Sequence, residues 1–462
     1  MPKTQTPIIP HTPTFAKVAA PHEWNKEAIC VFVATGFFLD TDTFWCDELV
    51  IPPATDYELG DHHFLSRHHS WFQWHYTPRN ISFEEALEEF TELFESILDR
   101  QVKDEKVILP LSGGLDSRTQ AAGLAFLGKN VSSYSYEFKE GYPETKIAQK
   151  IAAVCEFPFQ KFTIQKGYLW DCIEELANIN GCYSEFTHPR QMAIAEYYKE
   201  MGSIFSLGHW GDVLFDRGAP EGILPEDALA LIKKKVVKKG GMELAEKLWQ
   251  AWGLPGRFET YFEDRLQTLW NGIAIENVSA KMRAFKSLYW APRWTSTNLA
   301  IFEEKRPVTL PYYSNEMCQF ICTIPEAYLA DRKLQIAYLK KRNPSLARIT
   351  WEAKKPFHLY NFHKHKTLSH VPYRIVNKLQ REVKKMTGNS YIQRNWELQF
   401  LGKENAEKLA QYLFSESLTT LVPKNITEEF YQKFKAADAV YYSHPVSMLL
   451  TLALKTQQNG AH

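Results

Sequence analysis

The sequence predicts an α/β protein: a parallel sheet flanked by helices, with a small β-rich N-terminal part and a helical C-terminal part. Three observations carry this. The apolar run KVILPL (Lys106–Leu111) passes directly into a glycine-rich turn and then into helical text. Strand and helix patterns alternate from there to about Leu207 with short connections, which implies parallel strands covered on both faces. Beyond Asp212 the text is mainly helical as far as Leu454.

Residues 1–23 are proline-rich and without periodicity, as in an arm or edge segment. From Ala28 the text reads as strands: AICVFVATGFFL, FWCDELVIP and SWFQWHYT, divided by Asp, Gly and Pro. Helical text starts at Ser82. Ser82 and Glu85 make a capping-box pattern, and Phe83, Leu87, Phe90, Phe94 and Leu98 recur on one face until about Arg100–Val102. Lys106–Leu111 is a short buried strand. A helix through Phe126 follows, then a strand at Val131–Phe138 and a helix from Pro143 to Val154. A strand near Gln160–Ile164, a long helical stretch to Met201 and a strand at Ile204–Leu207 complete the alternating part. Arg374–Lys385 has helical spacing and reads as a solvated basic face.

With 462 residues the chain has room for two or three domains. The predicted division is 1–80, a β-rich N-terminal part; 81–370, the alternating domain; and 371–462, its helical extension. Lys plus Arg total 54 and Asp plus Glu total 54, so the chain is neutral. That excludes a protein built to coat nucleic acid or anionic membrane, though not a local basic groove. Neither a secretory signal nor an apolar run long enough for a bilayer is visible, so a cytoplasmic location is expected. The seven scattered cysteines lack paired metal spacing and read as reduced structural thiols. His62, His63, His68 and His69 cluster without a nearby Cys or a spaced carboxylate, and read as surface histidines.

The chemistry concentrates in Ser112-Gly113-Gly114-Leu115-Asp116-Ser117, between the strand VILPL and the helix RTQAAGLAFLG. Glycines that expose backbone amides at a helix N-terminus make a positive concavity for phosphates. Asp116 adds a hard oxygen donor suited to Mg²⁺ beside them. The lysine of a Walker loop is missing, which argues against ordinary γ-phosphate handling. Average composition puts chance occurrence of the five fixed residues on the order of one in a thousand, so a nucleotide loop outweighs a plain glycine turn.

Here the sequence resembles the PP-loop ATP pyrophosphatases, whose SGGxDS loop holds the pyrophosphate part of ATP, and more narrowly the synthetase domain of the asparagine synthetase family. The resemblance runs from about Ile51 to the C-terminus. It implies that Leu111, Ser112, Gly113, Gly114, Leu115, Asp116 and Ser117 bind the ATP phosphates, and that the backbone of Tyr136, in Ser133–Phe138, faces adenine. Glu144 matches the acidic residue that opens the next helix. The family's second loop falls on Leu207–Asp216, where Gly208, Asp212 and Phe215 are kept. Gly208 then belongs to the nucleotide site, and Asp212 joins Asp116 as a Mg²⁺ ligand. The lysine loop falls on Glu352–Phe357, placing Lys354 at the α-phosphate, with Lys355 taking the role if the register slips by one.

The implied function is an ATP-dependent, AMP- and pyrophosphate-forming ligase that adenylates a carboxylate and joins it to ammonia or an amine, with ATP and Mg²⁺ as cofactors. Its partners would be a small-molecule carboxylate and an amine or ammonia donor, with no membrane or nucleic-acid partner expected. His209 stands where asparagine synthetases have Glu. It is either a general base for the amine or a packed histidine, and Trp210 narrows the same pocket. The stretch from Ile51 to Tyr76 resembles the end of a glutaminase domain. With only 111 residues before Ser112 and Met1-Pro2 at the start, a non-hydrolytic remnant is expected, so ammonia would come from solution or a separate subunit. His358, His363 and His365 read as a loop without ligand contact, or as part of a lid over ATP. Two alternatives stay open: a PP-loop tRNA-modifying adenylase, and a non-catalytic nucleotide-binding scaffold derived from the synthetase.

Overall fold

The computed structural model describes residues 4–143, 145–187, 189–386 and 391–460. Glu144, the matched acid of the sequence reading, lies outside them.

The central sheet follows from short apolar segments, each too brief to cover itself. Its strands are β6 (Val107–Pro110), β7 (Val131–Phe138), β8 (Phe159–Ile164), β9 (Ile204–Ser206) and β10 (Val308–Thr309), in the spatial order β10-β9-β6-β7-β8. All neighbours are parallel, with Val107 opposite both Val131 and Ile204. Chain order therefore runs outward from β6 to β7 and β8, then reverses to β9 and β10. The reversal leaves a crevice at the carboxyl ends of β6 and β9, where open α/β sheets bind ligands.

Helices cover the sheet. α2 (Phe83–Val102) starts at the expected capping box: Glu85 N–H donates to Ser82 Oγ, and Ser82 N–H donates to Glu85 Oε2. α3 (Asp116–Phe126), α4 (Thr145–Val154) and α5 (Tyr168–Asn180) alternate with the strands as predicted. The stretch expected as one helix to Met201 is broken, ending α5 at left-handed Gly181 and resuming as 3₁₀ turns from Arg190.

The N-terminal part differs from its sequence reading. Ala28–Thr35 lies in a helix, α1 (Lys26–Thr35), not a strand. A continuous apolar run fits a buried helix as well as a buried strand, and the ends decide here. Asn25 accepts from Ala28 N–H at the N-cap, and Gly36 closes the helix at φ 83°. α1 is buried, with the backbone of Ala34 so close to Gly241 that a side chain there would not fit. The strands of this part are short antiparallel pieces: β1 (Thr4–Gln5), β4 (Thr55–Leu59) and β5 (Leu65–Ser70) in one sheet, and β2 (Phe15–Lys17) with β3 (Glu48–Val50) in another. Of SWFQWHYT only Ser70 belongs to a strand, ending β5 opposite Thr55, and Trp71–Thr77 joins no sheet. Thr77 N–H donates instead to Cys322 O, at the end of the helix Asn315–Cys322.

One hydrophobic core joins Ile8, α1, α2, the parallel sheet and the C-terminal helix Ala439–Gly460; a small second cluster holds Ala16, Ile51 and Tyr57. All seven cysteines are unpaired. His68 and His69 lie exposed on β5, and among the described residues no three His, Cys, Asp or Glu side chains gather to hold a metal ion. The basic stretch forms the helix Val371–Met386, with Ile375, Val376 and Leu379 exposed. No helix of the described residues is long and apolar enough to cross a membrane.

Candidate active site

Two loops meet in the crevice. The first, Leu111–Leu115, leaves β6 and turns into α3. Its shape is set from within: Ser112 N–H donates to Ser117 Oγ (3.1 Å), and Gly114 N–H donates to Ser112 Oγ (3.2 Å). Ser112 is exposed, while Leu111, Gly113, Leu115 and Ser117 are buried. The second loop leaves β9. A Cβ on Gly208 would stand 3.1 Å from Ser117 N and 3.2 Å from Asp116 Cβ, and one on Gly211 would strike the Asp116 carboxylate. Glycine at both places lets the two loops touch.

Asp116 is held from the far side. Arg332 Nη2 donates to its Oδ1, and Gln335 Nε2 donates to the same oxygen at 3.1 Å. Gln335 is fully buried and also bonds Tyr312 Oη and Arg332. Burial raises the pKa of Asp116, Arg332 opposes this, and the charge of Asp212 adds to the rise. Asp212 itself is exposed, at the first turn of the short helix Gly211–Leu214. Two carboxylates thus repel one another across the glycine contact.

Sequence inspection passes over a second set of residues here. Arg118 is fully buried and donates to the carbonyls of Ile349 (2.9 Å), Thr350 (2.8 Å) and Gly113 (3.2 Å); burial drives its pKa down to about 10. Gly113 O also accepts Glu352 N–H at 3.0 Å. The segment 349–352 is therefore stapled to the glycine loop from two sides, and a Cβ on Gly113 would come within 2.7 Å of Glu352 Cβ. Arg118, Arg332, Gln335 and Glu352 carry no local pattern that marks them, since their partners are remote in the chain.

Each remaining candidate has a definite place. Leu111 N–H donates to Tyr134 O (2.8 Å), so even-numbered positions of β7 face β6. The pairing ends at Pro110–Tyr134, and Tyr136 is the next such position, beside the glycine loop. Its ring lies 5.9 Å from the Arg190 guanidinium. Lys354 Nζ stands over the Trp351 ring at 5.6 Å, whereas Lys355 pairs with Glu352 and lines a cavity of about 850 Å³. His365 lines the same cavity; His358 and His363 do not. Trp210 takes φ 76° and donates from Nε1 to Ser287 Oγ (3.0 Å). Ser287 belongs to the π-type helix Lys286–Thr295. Burial drives the neighbouring Lys286 down to about 8, and Lys235 adds to this against the opposing charge of Asp212. His209 Nδ1 is buried without a partner among the described residues. Burial lowers the pKa of His209 to about 4, despite Asp212, so the ring is neutral at neutral pH.

A parallel sheet with two apposed glycine loops at its reversal point defines an α/β protein with a crevice of the kind in which open sheets bind ligands. Residues 89–207 match the family model of asparagine synthase. The matched segment contains the SGGLDS loop and Tyr136 and stops one residue before Gly208. The solved structure titled NMN synthetase from Francisella tularensis is similar at 14% identity, covering 45% of this chain and 93% of that chain with a TM-score of 0.22. No curated protein matches the chain.

Proposed function

We propose that the protein is an ATP-dependent, AMP-forming ligase that adenylates a carboxylate and then forms an amide with ammonia or an amine. The observation that supports this most is the contact between the SGGLDS loop and the Gly208–Asp212 loop, which brings the carboxylates of Asp116 and Asp212 close enough to repel one another.

In the first step a carboxylate oxygen attacks the α-phosphorus of ATP. The bond to the bridging oxygen breaks and pyrophosphate leaves, giving an acyl-adenylate. In the second, the amine nitrogen attacks the acyl carbon, AMP departs with the carbon–oxygen electron pair, and the nitrogen loses a proton. Ser112–Ser117 binds the pyrophosphate portion, and the backbone of Tyr136 faces adenine. Asp116 and Asp212 would hold a hard cation, because their mutual repulsion is what a divalent ion relieves. Mg²⁺ would supply charge neutralisation at the phosphates. Lys355, once exchanged from Glu352, adds positive charge on the cavity side, and Lys354 is the second candidate. With a pKa of about 4, His209 is a weak base, and we assign it a hydrogen bond to a ligand through its unpartnered ring nitrogen.

The test is carboxylate-dependent ATP–pyrophosphate exchange with Mg²⁺ across a panel of amino, sugar and polycarboxylic acids, with Asp116→Ala and Asp212→Asn as controls. Exchange with one acid, lost in both variants, is expected. ATP binding without exchange for any acid would refute the ligase reading, and full exchange in both variants would refute the carboxylate assignment.

A further inference from the structure

A cavity of about 850 Å³ lies beside the glycine loop but is not lined by it. Its floor is Glu352, whose backbone is bonded to Gly113 O, and its outer wall is the helix Val371–Met386. At about 850 Å³ it is near the upper end for small-molecule sites and far larger than an amino acid such as aspartate needs. Lys355, Arg374 and Lys378 line it together with His365 and His370, against the single carboxylate of Glu352. That carboxylate is already paired with Lys355. Arg374 and Lys378 stand one helical turn apart, and neither has an acidic partner among the described residues.

The charge is local. Residues 354–386 hold nine Lys or Arg and one Glu in a chain whose net charge is zero. Of these, Lys355, Arg374 and Lys378 line the cavity, and three cations on one concave wall select anions with more than one negative charge. Val371 and Ile375 lie on the same wall, so the occupant also presents carbon. None of Ser112–Ser117, the loop assigned above to the ATP phosphates, lines this cavity, and Glu352 packs against Gly113. What remains to be seated next to that loop is the acid that attacks the α-phosphorus.

Resting on the ligase reading above, we infer that this cavity holds the acid substrate and that this acid is polyanionic, a carboxylic acid carrying at least two further acidic groups. A small polycarboxylate and an acidic peptide share this chemistry. Arg374 and Lys378 bind the distant carboxylates, and Lys355 lies nearest the reacting one.

The probes are citrate and pentaglutamate, with acetate and pentaglycine as controls, titrated calorimetrically into the full chain and into R374E/K378E. Both substituted side chains are exposed, so the fold is expected to persist, and circular dichroism checks it; R374Q/K378Q serves if charge reversal perturbs it. Expected is binding of at least one polyanion, weakened about tenfold or more by the double substitution, with ATP affinity unchanged within twofold. Preference for citrate assigns a small polycarboxylate, and preference for pentaglutamate assigns a peptide. Binding of neither polyanion, or binding indifferent to the substitutions, overturns the inference. Loss of ATP affinity in the double variant also overturns it, because the cavity is then the nucleotide site. Exchange with a monocarboxylate alone would refute this inference while leaving the ligase intact. Polyanion binding without any exchange would instead refute the ligase.

Discussion

Arg332 and Asp116, separated by 216 positions, form an ion pair beneath the glycine loop, with side-chain exposures of 9% and 23%. Arg332 sits at φ 63°, in the left-handed region, and its guanidinium also reaches Gln335, which bonds the same carboxylate oxygen. The pair fixes the first residue of α3 and so the direction of the glycine loop that precedes it.

Removing one partner leaves the other largely dehydrated. Arg332→Ala is therefore expected to destabilise the protein by about 3 kcal/mol, at the lower end for a buried pair because Asp116 retains some water. Urea unfolding of the single variants and of Asp116→Ala/Arg332→Ala measures it. The double variant should be less destabilised than the sum of the singles; simple additivity would show that the pair is not coupled.

Gly208 is a packing requirement, not a flexible joint. A methyl group there stands 3.1–3.2 Å from backbone and Cβ atoms of Asp116 and Ser117, which cannot retreat without moving the loop. Gly208→Ala should cost about 1–3 kcal/mol of stability and weaken ATP binding in the same variant. Thermal unfolding with and without ATP would show both effects, and an unchanged ligand-induced shift would contradict the contact.

The two lysines of the 352–357 segment have separable surroundings. Lys355→Ala is expected to lower kcat about a hundredfold with little change in ATP affinity, since its charge faces the cavity. Lys354→Ala, which removes only a cation lying over Trp351, should change kcat by less than about threefold. Steady-state kinetics of both would decide the register. The reverse ranking would restore Lys354 to the α-phosphate.

His209 has a folded pKa of about 4 against 6.5 in the unfolded chain. Between these values the unfolded state binds the proton more readily, so stability falls as the pH drops from 6.5 toward 4. His209→Gln removes this contribution. Its melting temperature should fall less than that of the parent between pH 7 and pH 5; parallel curves would mean that the imidazole is hydrated and titrates normally.

Much of this was readable in the chain. The capping box of α2, the boundaries of β7 and the loop between β6 and α3 were legible because caps, alternation and glycine spacing are local signals. α1 was not, since an apolar run without polar punctuation fits either element, and only its packing against Gly241 and the rest of the core settles which. The choice between Lys354 and Lys355 was open for a similar reason. Adjacent side chains diverge according to the backbone of a short turn, which no residue pattern specifies.

The sequence alone determined the parallel α/β plan and the place of the glycine loop between β6 and α3, because hydrophobic period and glycine exposure act over a few residues. Tertiary structure decided what surrounds that loop: Arg332 and Gln335 on Asp116, Arg118 and Glu352 on Gly113, and a basic wall from the helix Val371–Met386. Arg332, Gln335, Glu352 and the helix come from segments more than two hundred residues away, brought together only when the shared core closes. Buried charge then takes whatever partner the closed core supplies.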